Sequence, residues 1–136
     1  MQDTAYGLRV TTSLPFGTAI EQTTAALKAQ GFGIITTIDM TATLKAKLGK
    51  DIRNYTILGA CNPVLSDRAL EAELEVGLLL PCNVVVYEDD GGRTVVSAMA
   101  PVAALGVVGG NPALADVAQE ADAKLRAALA TVEAAG

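Results

Sequence analysis

The sequence predicts an α+β fold. It reads as a two-layer single domain over residues 1–136, in the order β-α-β-α-β-α-β-β-α, with helices packed on a mixed five-stranded sheet. Three observations carry that prediction. Short aliphatic runs, alternating or continuous, recur between stretches of helical periodicity. Two Asn-Pro pairs, Asn62-Pro63 and Asn111-Pro112, combine a good N-cap with the residue best tolerated at the first helical position. Asp89-Asp90-Gly91-Gly92 stands between VVVY and TVVSAM, a hairpin signal that makes the last two strands antiparallel neighbours. No internal repeat, linker or low-complexity block divides the chain.

Residues 5–12 open the series as a strand, with Tyr6, Leu8 and Val10 alternating with Gly7, Arg9 and Thr11. A helix begins between residues 13 and 18, where Pro15 suits a first turn and Thr18 with Glu21 has capping-box spacing. Ile20, Thr24, Leu27 and Thr23 supply its inward stripe. Gly31 takes the left-handed position past its end, so Phe32 folds back on Leu27. Phe32, Ile34, Thr36 and Ile38 alternate along the second strand. A short helix follows from about Thr41 to Gly49, and Lys45, Lys47, Lys50 and Arg53 cluster there as a solvated face or, alternatively, an anion contact. The third strand, Tyr55 to Ala60, ends at Cys61. A helix opening at Asn62 runs to about Glu75, with Gly77 closing it. LLLPCNVVVYE is apolar on both faces, as in a central strand, and Pro81 delays regular pairing until about Asn83. PVAALGVVGG reads as an apolar, glycine-bearing loop. The last helix follows with Leu114, Val117, Ala121, Leu125, Ala128 and Val132 inward.

Composition narrows the function. Apolar residues make up 51% of the chain but aromatics only 4%, without tryptophan, so the core is aliphatic. Charged residues at 18% fall below the usual ~25%, and mean hydropathy is +0.37. Little polar residue content remains to cover the surface, which predicts a homodimer or other homo-oligomer burying apolar area. A net charge of −5 argues against nucleic acid as a partner. Histidine is absent, which removes the commonest general base and zinc ligand and any Ser-His or Cys-His dyad. MQDTAYGLRV has no secretory pattern, and no apolar run reaches the ~18–20 residues of a membrane helix. The expectation is a soluble cytoplasmic protein that keeps its cysteines as thiols.

The stretch from Asn54 to Glu88 carries the candidate chemistry. It holds both cysteines, as Cys61-Asn62-Pro63 and, reversed, Pro81-Cys82-Asn83. Cys61 precedes a helix start, where unsatisfied N–H groups favour a thiolate. The competing reading makes both cysteines small buried residues. A right-handed crossover would set the third and fourth strands parallel, leaving the cysteines several residues apart along the strands at ~3.3 Å each. No intramolecular disulfide is expected. Gly59, two residues before Cys61, marks a close approach of either a ligand or a neighbouring backbone. Asn62 and Asn111 could face a ligand, although capping already accounts for both, and the Asn83 amide is a possible donor beside Cys82. Tyr55 and Tyr87 read as core-edge aromatics. No phosphate-loop or dinucleotide fingerprint is present, and two cysteines without histidine do not make a closed zinc site.

The blocks GACNP, RALEAE and GLLLPCNVVVYE, followed by a Pro-initiated loop ending at Asn111-Pro112, resemble the domain-of-unknown-function 302 family. The QGF after the first helix and the LKAKLG segment fit the same pattern, so the resemblance covers nearly the whole chain. It implies a compact α+β fold in small bacterial or archaeal proteins that often form dimers, and it implies no reaction, substrate or cofactor. The leading expectation is a non-enzymatic, homo-oligomeric binding module for a small ligand or partner. Candidate binding residues are Gly59, Cys61, Asn62, Cys82 and Asn83. The alternatives are a thiol-dependent redox or sulfur-handling protein using Cys61, and soft-metal or haem binding through Cys61.

Overall fold

The computed structural model describes residues 1–136. Its strands form one six-stranded sheet in the order β1-β2-β6-β5-β4-β3. These are β1 (Gln2–Asp3), β2 (Gly7–Thr12), β3 (Gly33–Asp39), β4 (Tyr55–Cys61), β5 (Cys82–Glu88) and β6 (Thr94–Met99). Between them run α1 (Phe16–Ala29), α2 (Met40–Leu48), α3 (Pro63–Ala72), a 3-10 helix (Leu74–Leu79), α4 (Pro101–Leu105) and α5 (Pro112–Ala135).

The signals at Gly31, Asn62 and Asn111 do their predicted work, whereas α1 starts after Pro15 with no side-chain cap, so the Thr18–Glu21 capping box does not form. Gly31 has φ +86°, and the N–H groups of Gly31 and Phe32 donate to the carbonyls of Lys28 (3.0 Å) and Leu27 (2.9 Å). That is the Schellman ending, with Phe32 and Leu27 both buried in the core. Asn62 and Asn111 cap α3 and α5 by accepting from the N–H groups of Leu65 and Leu114. All six residues predicted to face inward on α5 are buried, joined by Ala118 and Leu129. They pack against one face of the sheet, where Leu8, Val10, Leu58, Val84, Val86, Val96 and Ala98 meet them. Alternation along each strand sends the neighbouring residues to the opposite face, which no long helix covers.

Five expectations need correction. The sheet has six strands, not five. The additional one, β1, is two residues long and too short to show periodicity. It pairs with β2 and is held by the Asp3 carboxylate on Arg126 (2.9 Å).

The sheet is antiparallel at every pairing, not mixed. After α3 the chain does not cross back to the start of β4. The 3-10 helix turns it tightly, the cis Leu80–Pro81 peptide follows, and the chain re-enters at the C-terminal end of β4, so Cys82 lies opposite Ala60.

Helix α3 ends at Ala72 rather than near Glu75, because the tighter 3-10 turn brings Val76 into the core. The apolar loop at 101–110 is helical over its first five residues, with Pro101 and Leu105 buried.

The inward stripe of α1 also differs in detail. Ala19, Thr23, Ala26 and Leu27 are buried, whereas Thr24 turns its hydroxyl back to the Ile20 carbonyl (2.8 Å).

Candidate functional site

The antiparallel registers place the residues of the open face in rows that run across the sheet. Gln2, Arg9, Ser97, Val85, Ile57 and Ile38 form the central row. On one side Thr11, Val95, Tyr87 and Tyr55 are aligned, and on the other lie Gly7, Met99, Asn83, Gly59 and Thr36. Part of this face is concave. Tyr6 and Thr4, from the turn between β1 and β2, together with Ala104 of α4, wall a cavity of about 690 Å³. Its floor holds Arg9, Ser97, Asn83, Val85 and Met99, with Tyr55 and Tyr87 along one side. The volume falls in the range of small-molecule sites, roughly 300–1,000 Å³.

Three properties distinguish the groove. It gathers all three tyrosines of a chain that has only two other aromatic residues, both phenylalanines. Tyr55 and Tyr87, a direct cross-strand pair, stack with centroids 5.5 Å apart and planes 12° from parallel. Burial, then the neighbouring Tyr87 and Tyr6, raises the Tyr55 phenol above its usual range, so it stays a protonated hydroxyl donor near neutral pH. Finally, Arg9 is the only charged side chain in the lining. Its Nε–H is closed off from solvent and meets no acceptor. By contrast, Arg53, Arg68 and Arg126 pair with Asp90, Glu120 and Asp3 with Asp122. Gly7 keeps the floor open, since a Cβ there would lie 3.1 Å from the Ser97 hydroxyl and 3.0 Å from that of Thr4.

Of the five residues singled out in the sequence, only Asn83 lines this groove. Gly59 lies opposite Asn83 on β4, but its missing side chain makes room for Thr36 and Pro81, which a Cβ would strike. Asn62 is spent on structure: its Oδ1 accepts from Leu65 N–H at 3.2 Å, and its Nδ2 reaches the Gln30 carbonyl at 3.5 Å.

The two cysteines are free and half-buried. Ala60 and Cys82 are direct partners on the helix-covered face, so alternation turns Cys61 to the other side. The absence of a disulfide therefore has a different cause from the expected axial offset. The strands are adjacent and antiparallel, and the thiols diverge across the sheet. Burial, with the nearby Cys61 second, pushes the Cys82 thiol up to about 11. Cys61 Sγ lies 3.3 Å from Ser66 Oγ in the early part of α3. No three Cys, Asp or Glu side chains converge in a way that could hold a metal ion.

Sequence reasoning passed over Arg9, Tyr6, Ser97 and Met99. The available signal was the period of two. Arg9 stands between Leu8 and Val10, and Ser97 between Val96 and Ala98, so each had to lie on the face away from the core. A second cavity, about 460 Å³, lies between α4 and α5 over the glycines at 106, 109 and 110. It has no charged lining, and its Asn111 is occupied by the Ala72 carbonyl and the Leu114 N–H.

An antiparallel sheet with helices on one face and a tyrosine- and arginine-lined groove on the other defines a small α+β protein. The model of the family "Domain of unknown function DUF302" matches residues 8–132, and the chain belongs to that family. The crystal structure of an uncharacterized conserved DUF302 protein from Bacillus stearothermophilus is similar, at 32% identity and a TM-score of 0.87. The match covers 94% of this chain and 98% of that one. No curated protein matches the chain. No helix is long and apolar enough to cross a membrane.

Proposed function

We propose that this protein is a non-enzymatic binding module that takes a small ligand in the groove on the open face of its sheet. The observation that carries this reading is Arg9, an arginine on an inner strand whose Nε–H is shielded and has no acceptor. Its guanidinium is the one charge in the lining and no Asp or Glu faces it there, so a ligand that brings an acceptor or a negative charge would complement it. Asn83, Ser97 and the Tyr55 and Tyr87 hydroxyls supply further polar contacts, and Val85 and Met99 an apolar floor. The lining hydroxyls, Ser97 and Thr4 among them, have no Asp, Glu, Lys or Cys in the lining to activate them, which favours binding over catalysis. A thermal-shift screen of small fragments tests it. Compounds that raise the midpoint of the wild-type protein should lose their effect on Ser97→Leu, which fills the floor, and keep it on Cys61→Ser. Hits that persist on Ser97→Leu would contradict the reading.

In the same reading the chain acts as a homodimer. The apolar surplus supports this, as do Leu74 and Leu78, which stand 83% and 85% exposed around the 3-10 helix. Light scattering should return twice 13.9 kDa, and the Leu74→Glu/Leu78→Glu variant half of that. A wild-type monomer would remove this part.

A thiol function at Cys61 is the second reading, supported by its half-exposed position beside Ser66 at the start of α3. It predicts iodoacetamide labelling of folded protein at Cys61 well below pH 8.5. Labelling only after denaturation would end it.

A further inference from the structure

We infer that the groove selects an aromatic monocarboxylate, an inference that rests on the binding reading above and specifies its ligand class. The groove offers one positive charge and no negative one, although the chain as a whole carries −5. A cation embedded in an anionic protein, facing a cavity with no Asp or Glu, favours a ligand that brings a single negative charge. The guanidinium supplies a planar fork of donors that matches the two oxygens of a carboxylate. Ser97, the direct cross-strand partner of Arg9, adds a hydroxyl beside that fork, and Asn83 lies one row away.

The remaining lining excludes the more highly charged alternatives. A phosphate dianion is normally met by several cations, a helix N-terminus or a glycine-rich nest. The groove contains no lysine, no second arginine and no glycine other than Gly7. The ligand's body must instead meet Tyr55, Tyr87, Tyr6, Val85 and Met99, surfaces that favour an aromatic ring. The cavity of about 690 Å³ accommodates a benzoate or a hydroxycinnamate.

The test is a set of amide-shift titrations of the full chain with benzoate, its neutral isostere benzamide, and inorganic phosphate. Benzoate is expected to shift the amides of Arg9, Asn83 and Ser97 saturably and to bind at least about tenfold more tightly than benzamide or phosphate. Arg9→Gln should weaken benzoate at least about tenfold and so remove most of its advantage over benzamide. That variant retains a polar side chain at the same place, and the wild-type comparison of benzoate with benzamide does not depend on its folding. Equal binding of benzoate and benzamide at these amides would overturn the charge selection while leaving the groove a binding site. Equal or tighter binding of phosphate would overturn the monocarboxylate class. Failure of all three to shift these amides would overturn the inference, whereas the binding reading falls only if fragments of every other class also miss the groove.

Discussion

Thr23 is buried on the inner face of α1, and its hydroxyl finds no hydrogen-bond partner. Valine has the same shape without the polar atom, so Thr23→Val should stabilise the fold by about 1 kcal/mol. Chemical denaturation would show it as a higher midpoint at unchanged slope. Cys82 makes a second prediction at this scale. Burial pushes its thiol up to about 11 in the fold, against 9.0 for the group in the open. Below pH 9 the thiol is neutral in both states and its contribution is complete. As pH rises from 9 through 11 the unfolded chain ionises first, and stability falls by about 2–3 kcal/mol. Under reducing conditions, Cys82→Ala should remove that alkaline component of the loss, and identical pH dependence in the variant would contradict the assignment. Single residues were legible in the sequence where local chemistry decides their role. Asn62, Asn111 and Gly31 depend only on neighbours within a few positions, and each serves as predicted. The face Arg9 occupies was legible from Leu8 and Val10 beside it, but the groove it lines depends on residues from other strands that its neighbours in sequence do not report.

At the scale of elements, the junction from β4 into α3 ties three segments together. Asn62 caps α3 and bonds the carbonyl of Gln30 at the end of α1, while Gly31 passes beneath its side-chain amide. Asn62→Ala should therefore cost about 1–2 kcal/mol, measurable by urea denaturation, and a change below a few tenths would show that the cap is idle. Gly59 acts in the same region by omission. Gly59→Ala would press a methyl on Thr36 and Pro81 and should cost about 1–3 kcal/mol. Adding Thr36→Ala should recover part of this, and no recovery would mean that the clash lies elsewhere. The positions of the long helices and strands were readable because their periodicity spans many residues. Strand direction was not. It is set by a 3-10 turn that sequence pattern does not encode, so the expected crossover became an antiparallel return.

The whole molecule is a one-sided sandwich. Aliphatic residues from β2, β4, β5 and β6, and from α1, α3, the 3-10 helix, α4 and α5, form one core on the helix side, with Ile34 of β3 packed at its edge. The other side is left to a few residues with room for function. This division explains why Cys61-Asn62-Pro63 and Pro81-Cys82-Asn83 drew attention in the sequence. They make the turn into and out of α3, and only Asn83 contributes to the groove. The groove itself draws on β2, β4, β5, β6, the turn after β1 and α4, so its members stand up to 100 positions apart, from Thr4 to Ala104. Only the assembled sheet brings them together. The most direct measurement is amide-shift mapping of the wild-type chain against a chemically varied set of small fragments. The shifts should converge on Arg9, Tyr55, Asn83, Tyr87 and Ser97. Convergence instead on the cleft between α4 and α5, or on Cys61 and the start of α3, would contradict the assignment of the ligand site to the open face of the sheet.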